Sequence, residues 1–247
     1  MWEDLLLFVV VGFAAQLIDG ALGMAYGVSA TTVLLGLGVP PATASASVHA
    51  AEVFTTGASG LSHWRFRNVD WRLLRWLAIP GMAGGAAGAF LLSNLAGELI
   101  RPYVSAYLFL MGLFILWTAL RAAPSGAEPP RRVAYLGLFG GFLDAIGGGG
   151  WGPMVTSSLV GQGMAPRYAI GSVNMAEFFV TLTTTLTFLF TIGLELWPII
   201  TGLIVGGVIA APFAAFVTSR VPDRPLMILV GTVISLLSLR GLLQAFG

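Results

Sequence analysis

Residues 143–153, Leu-Asp-Ala-Ile-Gly-Gly-Gly-Gly-Trp-Gly-Pro, set one carboxylate and a run of backbone without side chains inside a strongly apolar stretch. Residues 17–27, Leu-Ile-Asp-Gly-Ala-Leu-Gly-Met-Ala-Tyr-Gly, echo it at a constant shift that carries Asp19 onto Asp144. The register persists: Thr31 matches Thr156, Pro41 matches Pro166, Ser47-Val48 matches Ser172-Val173, and Ala51-Glu52 matches Ala176-Glu177. One register kept over about 45 positions, with both acidic residues aligned, is an internal duplication. A duplicated hydrophobic unit with interrupted helices is a recurring plan among carriers that work in membranes.

Composition fixes the solvent. The chain is 57% hydrophobic and 9% charged, against roughly 25% charged residues in a soluble globular domain. It reads as an all-helical integral membrane protein whose partner is the lipid bilayer. Met1-Trp2-Glu3-Asp4 lacks the basic region of a signal peptide, so none is expected there. With no cysteine, disulfides, thiolate metal sites and any passage of sulfur through a thiol are excluded. No cofactor and no nucleic-acid partner is expected.

Residues 5–37 are too long for one span of about 20 residues, and the break at Asp19–Gly27 divides them into arms of roughly 13. Arms that short predict a re-entrant hairpin or a discontinuous helix, tolerated only where protein or a watery cavity covers the backbone. A second span over 42–62 follows Pro40-Pro41 and carries His49 and Glu52 on one face, three residues apart. A basic and aromatic loop from His63 to Arg75 reads as an interface. Spans at 73–95 and 102–120 complete the first unit, residues 1–120. Residues 121–132, rich in Pro, Ser and Gly, form a linker. The second unit, 133–247, repeats the order: broken segment 133–163, then spans 166–190, 197–218 and 225–246. Glycines at 81–88 and 202–207 permit close helix packing, within one chain or in a homodimer.

Charge bears on topology. If every segment crossed, Arg65, Arg67, Arg72, Arg75, Arg121, Arg131 and Arg132 would face Arg101, Arg167, Arg220 and Arg224 across the membrane. If each broken segment instead enters and leaves on one side, the second repeat is inverted and Arg101 alone stands opposite all the others. The positive-inside rule favours the inverted arrangement, with the basic side cytoplasmic and both termini periplasmic.

Asp19, Glu52, Asp144 and Glu177 are the acidic residues inside apolar segments, in two repeat-related pairs. A carboxylate at membrane depth costs roughly 2.5–3.5 kcal/mol on insertion scales unless protonated, paired or wet. Two uses fit: proton coupling, or capping the backbone donors of a broken helix. His49 and Asn174 match in position, three residues before the glutamates. Either holds a substrate oxygen or satisfies its neighbouring carboxylate. Gly23, Gly148, Gly149 and Gly150 leave backbone N–H groups for a small oxyanion, with Thr156 supplying a hydroxyl and Trp151 closing the cavity; close packing is the other use of such glycines. His49 and His63 have no compact set of companions, so metal ligation is not expected.

With these residues identified, the chain resembles the TauE/SafE family of bacterial sulfite exporters and toluene-sulfonate permeases. The resemblance rests on Gly-Phe-Leu-Asp-Ala-Ile-Gly-Gly-Gly-Gly-Trp-Gly-Pro at 141–153, its weaker copy at 12–27, and the stretches Ala-Ser-Val-His-Ala-Ala-Glu at 46–52 and Gly-Ser-Val-Asn-Met-Ala-Glu at 171–177. It covers nearly the whole chain and implies transport of small sulfur-containing anions, sulfite or organosulfonates, across the bacterial inner membrane. Asp19, Glu52, Asp144 and Glu177 fall on the motif positions. The first copy has Leu22, Met24 and Ala25 where the second has glycine. Lack of cysteine separates it from the thiosulfate-uptake proteins of similar outline.

The expectation is a non-enzymatic secondary transporter, proton-coupled, working by alternating access between two repeats. A passive anion channel is the alternative.

Overall fold

The computed structural model describes residues 5–22, 24–120, 132–194, 196–218 and 223–246. Expectations about Met1–Asp4, Gly23 and nearly all of the 121–132 linker lie outside them. Among the described residues, regular structure is entirely helical.

The first unit opens with α1 (Leu5–Leu22), a break, and α2 (Tyr26–Gly36). The arms are unequal, 18 and 11 residues, because α1 continues through Asp19 and Gly20 before it stops. Next come α3 (Pro41–Arg65), α4 (Trp71–Ser93) and α5 (Gly97–Leu120). Pro41 starts α3 at a position where no intrahelical N–H is needed. Asp70 caps α4 by accepting from the amides of Arg72 (2.8 Å) and Leu73 (3.1 Å). The helix expected to open on Pro102 begins earlier, at Gly97, and carries the proline within it.

The second unit follows the same order. After α6 (Val133–Gly147) the chain turns through Gly148, Gly149 and Gly150, all at positive φ. It then winds through a π-helical turn, Gly152–Thr156, into α7 (Ser157–Gly161). Helices α8 (Pro166–Thr191), α9 (Trp197–Thr218) and α10 (Asp223–Phe246) complete it.

Among the described residues, four helical stretches are long and apolar enough to cross a membrane: Trp71–Ser93, Leu99–Leu120, Tyr168–Thr191 and Met227–Gln244. Helix α3 has the length but not the apolarity, since Ser45, Ser47, His49, Glu52 and Thr56 are buried against protein rather than turned to lipid. Ile79, Phe90, Leu110, Val208, Leu229 and Leu236 point outward from the bundle, the surface a bilayer covers.

Glycines set how the helices meet. Helix α1 lies parallel to α9, with Phe8 on Gly202 and Gln16 near Gly207. Helix α6 lies parallel to α4, with Gly137 on Leu77, Gly141 on Gly81 and Phe142 on Gly88. The glycine faces at 81–88 and 202–207 are thus used within the chain. Helices α3 and α8 run antiparallel, since Thr56 faces Thr181 while Ser59 reaches Asn174. So do α5 and α10, where Ser105 meets Gly241 and Leu116 meets Gly231. Ser93 at the end of α4 bonds Thr191 at the end of α8 (2.8 Å), while Asp70, before α4, donates its amide to Ser172 near the start of α8 (2.8 Å). The basic and aromatic loop exposes Trp64, Phe66 and Trp71, and Trp76 just beyond it is exposed as well.

Candidate functional site

The two breaks touch. Gly27, at the start of α2, lies against the backbone of Gly149, and Gly152 lies against Met24. These are the same contact made twice, since Gly27 corresponds to Gly152 and Met24 to Gly149. Thr31 donates its hydroxyl to the Gly148 carbonyl. A side chain at Gly149 would fall onto the Gly27–Val28 peptide, so the approach needs glycine there.

Each break is organised by its aspartate. Asp144 accepts from the Trp151 amide (2.8 Å), and Asp19 accepts from the Tyr26 amide (3.2 Å). Both therefore take the capping role, each reaching seven residues ahead. The Asp144 carbonyl also receives the amides of Gly148 and, at 2.9 Å, Gly149. Two glycine amides that the sequence offered to an oxyanion, at Gly148 and Gly149, are thus committed to Asp144, together with that of Trp151.

The second Asp144 oxygen meets His49 Nε2 at 3.0 Å, with both side chains buried. His49 Nδ1 lies 2.8 Å from the Ser45 carbonyl, and the Ser45 hydroxyl donates to the Ala145 carbonyl at 2.6 Å. A carbonyl only accepts, so Nδ1 carries a proton. Nε2 and the carboxylate then share one more proton, written either as imidazolium with carboxylate or as neutral imidazole with carboxylic acid. The two forms differ only in where that proton lies along one hydrogen bond.

Asn174, the counterpart of His49, donates to the Ile170 carbonyl (3.0 Å) and accepts from Ser59 (3.1 Å). It occupies the equivalent place on α8 but is bonded to Ser59 across the α3–α8 interface. Glu52 is buried, with the Gly27 amide directed at it and its Oε2 without a hydrogen-bond partner among the described residues. It lies within electrostatic reach of Asp144, Glu177 and Asp19. Asp19 and Glu177 are only part-buried. The Thr156 hydroxyl is buried and also without a partner among the described residues. Trp151 is fully buried, packs its ring on Gly81 and Gly140, and donates its indole N–H to the Val173 carbonyl (3.3 Å).

The site therefore gathers His49, Glu52, Asp144, Trp151 and the glycines 148–150. Gly23 lies outside the described residues. Sequence reasoning missed Tyr107, whose hydroxyl donates to the Gly149 carbonyl (3.1 Å); within an apolar span nothing marks it. It also missed Ser45, which stands one helical turn before His49 and was legible from that spacing. No group of three or more metal-capable side chains occurs among the described residues.

The sulfite exporter TauE/SafE family matches residues 8–241. The chain belongs to this family. It is 42% identical over 251 residues to the probable membrane transporter protein YtnM of Bacillus subtilis (strain 168), covering 98% of this chain and 84% of that protein. No solved structure matches. This TauE/SafE chain is a multi-pass membrane transporter and not an enzyme, and the bacterial inner membrane is consistent with its relatives and its apolar helices.

Proposed function

We propose that the chain is a proton-coupled secondary transporter of small sulfur-containing anions, sulfite or organosulfonates, built from two inverted repeats that rock about the joint of their breaks. The carrying observation is the contact of Gly27 with Gly149 beside the His49–Asp144 pair. Two broken segments from different halves meet there, next to a shared proton and an unsatisfied carboxylate oxygen.

The packing supports the inversion. Helices α3 and α8 run antiparallel, as do α5 and α10, and the pairs α1 with α9 and α6 with α4 exchange under the repeat. Phe8 near the start of α1 packs near the start of α9, and Leu35 near the end of α2 reaches Arg101 near the start of α5. Each broken segment then returns to the side from which it came. Because the chain has no cysteine, single cysteines report this cleanly: Leu37→Cys and Gln162→Cys are expected to react with impermeant reagents from opposite faces. Labelling from the same face contradicts the inversion.

An anion beside four carboxylates is repelled unless protons neutralise some of them. Protonation at Asp144–His49 and at Glu52 opens the site to the anion, and release of the protons expels it. That is the coupling. The Thr156 hydroxyl, without a partner among the described residues, supplies a donor.

Proteoliposomes loaded with unlabelled sulfite or an organosulfonate, given labelled anion outside with and without a pH gradient, test the proposal. Saturable counterflow that responds to the gradient is expected. Flux without counterflow indicates a channel, and no flux for any sulfur oxyanion or sulfonate removes the substrate assignment.

A further inference from the structure

Away from the breaks, two cavities share the walls Thr32, Val33 and Leu237. The first, about 200 Å³, lies between the end of α2, the start of α5 and the end of α10; Arg101, Ser105, Ser238, Arg240 and Gln244 line it, and no acidic residue does. The second, about 300 Å³, is an apolar slot between α1, α2 and α10, lined by Val10, Ala14, Ile18, Leu229 and Val233.

The charged end is built rather than incidental. Arg101 Nη2 donates to the Leu35 carbonyl (3.0 Å), which fixes the guanidinium while using one of its five donors. Ser238 is 4% exposed, and its hydroxyl has no hydrogen-bond partner among the described residues. Ser105 is also buried. Arginine forks and hydroxyls without a neighbouring carboxylate are the chemistry that recognises a phosphate. Two arginines also stand on the side of the protein that the inversion makes extracytoplasmic, where basic residues are disfavoured and need a reason.

The apolar end says what carries the phosphate. Val10, Leu229 and Val233 are 56%, 60% and 46% exposed, so the slot opens toward lipid, and it adjoins the arginine pocket at Thr32, Val33 and Leu237. A free oxyanion would use only the charged cavity. A ligand with an anionic head and a hydrocarbon tail fills both.

We propose that these joined cavities bind one anionic phospholipid, its phosphate held by Arg101, Arg240 and Ser238 and an acyl chain laid in the slot between α1, α2 and α10. The lipid then braces the return arm of the first break against α5 and α10.

Thermal stability of the purified full chain in neutral detergent, titrated with phosphatidylglycerol, tests this. Phosphatidylcholine with the same acyl chains, glycerol phosphate and inorganic sulfate serve as the other arms. The expected result is saturable stabilisation by phosphatidylglycerol alone, with apparent affinity lowered about ten-fold or more in R101Q/R240Q. Val233→Trp, which fills the slot from an exposed position, is expected to lower it with both arginines intact. That second variant keeps the test valid if the double variant does not fold. Unchanged phosphatidylglycerol affinity in either folded variant overturns the proposal. Equal stabilisation by sulfate or glycerol phosphate, insensitive to Val233→Trp, overturns it in favour of a free-anion site.

Discussion

The two breaks use one device with different fittings. In each, an aspartate accepts the amide seven residues ahead and a residue of one break lies on a glycine of the other. The second turns through three successive glycines at positive φ, whereas in the first Ala25 adopts φ 88 where Gly150 stands in the second. Asp144 is buried and bonded to His49, but Asp19 is part-buried, and Asn174, in the place of His49, bonds Ser59 instead. Both breaks thus share the capping geometry, while among the described residues the structure gives a titratable bonding partner to the aspartate of only one. Capping needs only an acceptor at the right spacing, whereas proton storage needs a second titratable partner.

The largest expected effect of breaking this asymmetry is at the contact itself. Gly149→Ala adds a side chain onto the Gly27–Val28 peptide at φ +144, an overlap and a backbone strain that together cost about 3 kcal/mol or more. Met24→Gly, at the matching position, is expected to cost about 1 kcal/mol, since it removes packing without creating overlap. Thermal unfolding in detergent compares them. Equal losses would mean that the two contacts are interchangeable.

Next in size is the contrast between His49 and Asn174, which match in position. His49→Ala leaves a buried carboxylate without its partner and is expected to cost about 3 kcal/mol. Asn174→Ala removes a neutral bond from Ser59 and should cost about 1 kcal/mol. Coupling is expected to follow the same order, with accumulation against a pH gradient lost in the first variant and retained in the second.

The smallest contrast is between hydroxyls. Thr31→Val removes the bond to the Gly148 carbonyl and is expected to destabilise by about 1 kcal/mol. Thr156→Val removes no bond among the described residues and should leave stability within about 0.5 kcal/mol. Its effect is expected in the half-saturating anion concentration for counterflow. A stability loss as large as that of Thr31→Val would make Thr156 structural.

Much of this was legible in the sequence because it is local or repetitive. The duplication gave the two breaks, the proline starts of α3 and α8 and the four buried or part-buried carboxylates, and aspartate capping was already one of their two readings. The unequal arms of the first break were not legible, since Gly20 lowers helix propensity without ending a helix that packs along α9. The partner of His49 was hidden for a different reason. Spacing places it on the face of Glu52, yet it bonds Asp144 on α6, and periodicity identifies a face without identifying what lies opposite. Tyr107 escaped for the same reason. The glycine amides looked available because no side chain competes for them, but the turn consumes two of them, at Gly148 and Gly149, on the Asp144 carbonyl.

The central claim is that Asp144, with His49, carries the coupled proton while Asp19 mainly caps its break. Labelled-sulfite counterflow and accumulation in proteoliposomes, with and without an imposed pH gradient, for wild type, Asp144→Asn and Asp19→Asn, test it most directly. The account predicts that Asp144→Asn keeps counterflow and loses the response to the gradient, while Asp19→Asn keeps both at reduced rate. Asp144→Asn with a wild-type response, or a response lost only in Asp19→Asn, contradicts it.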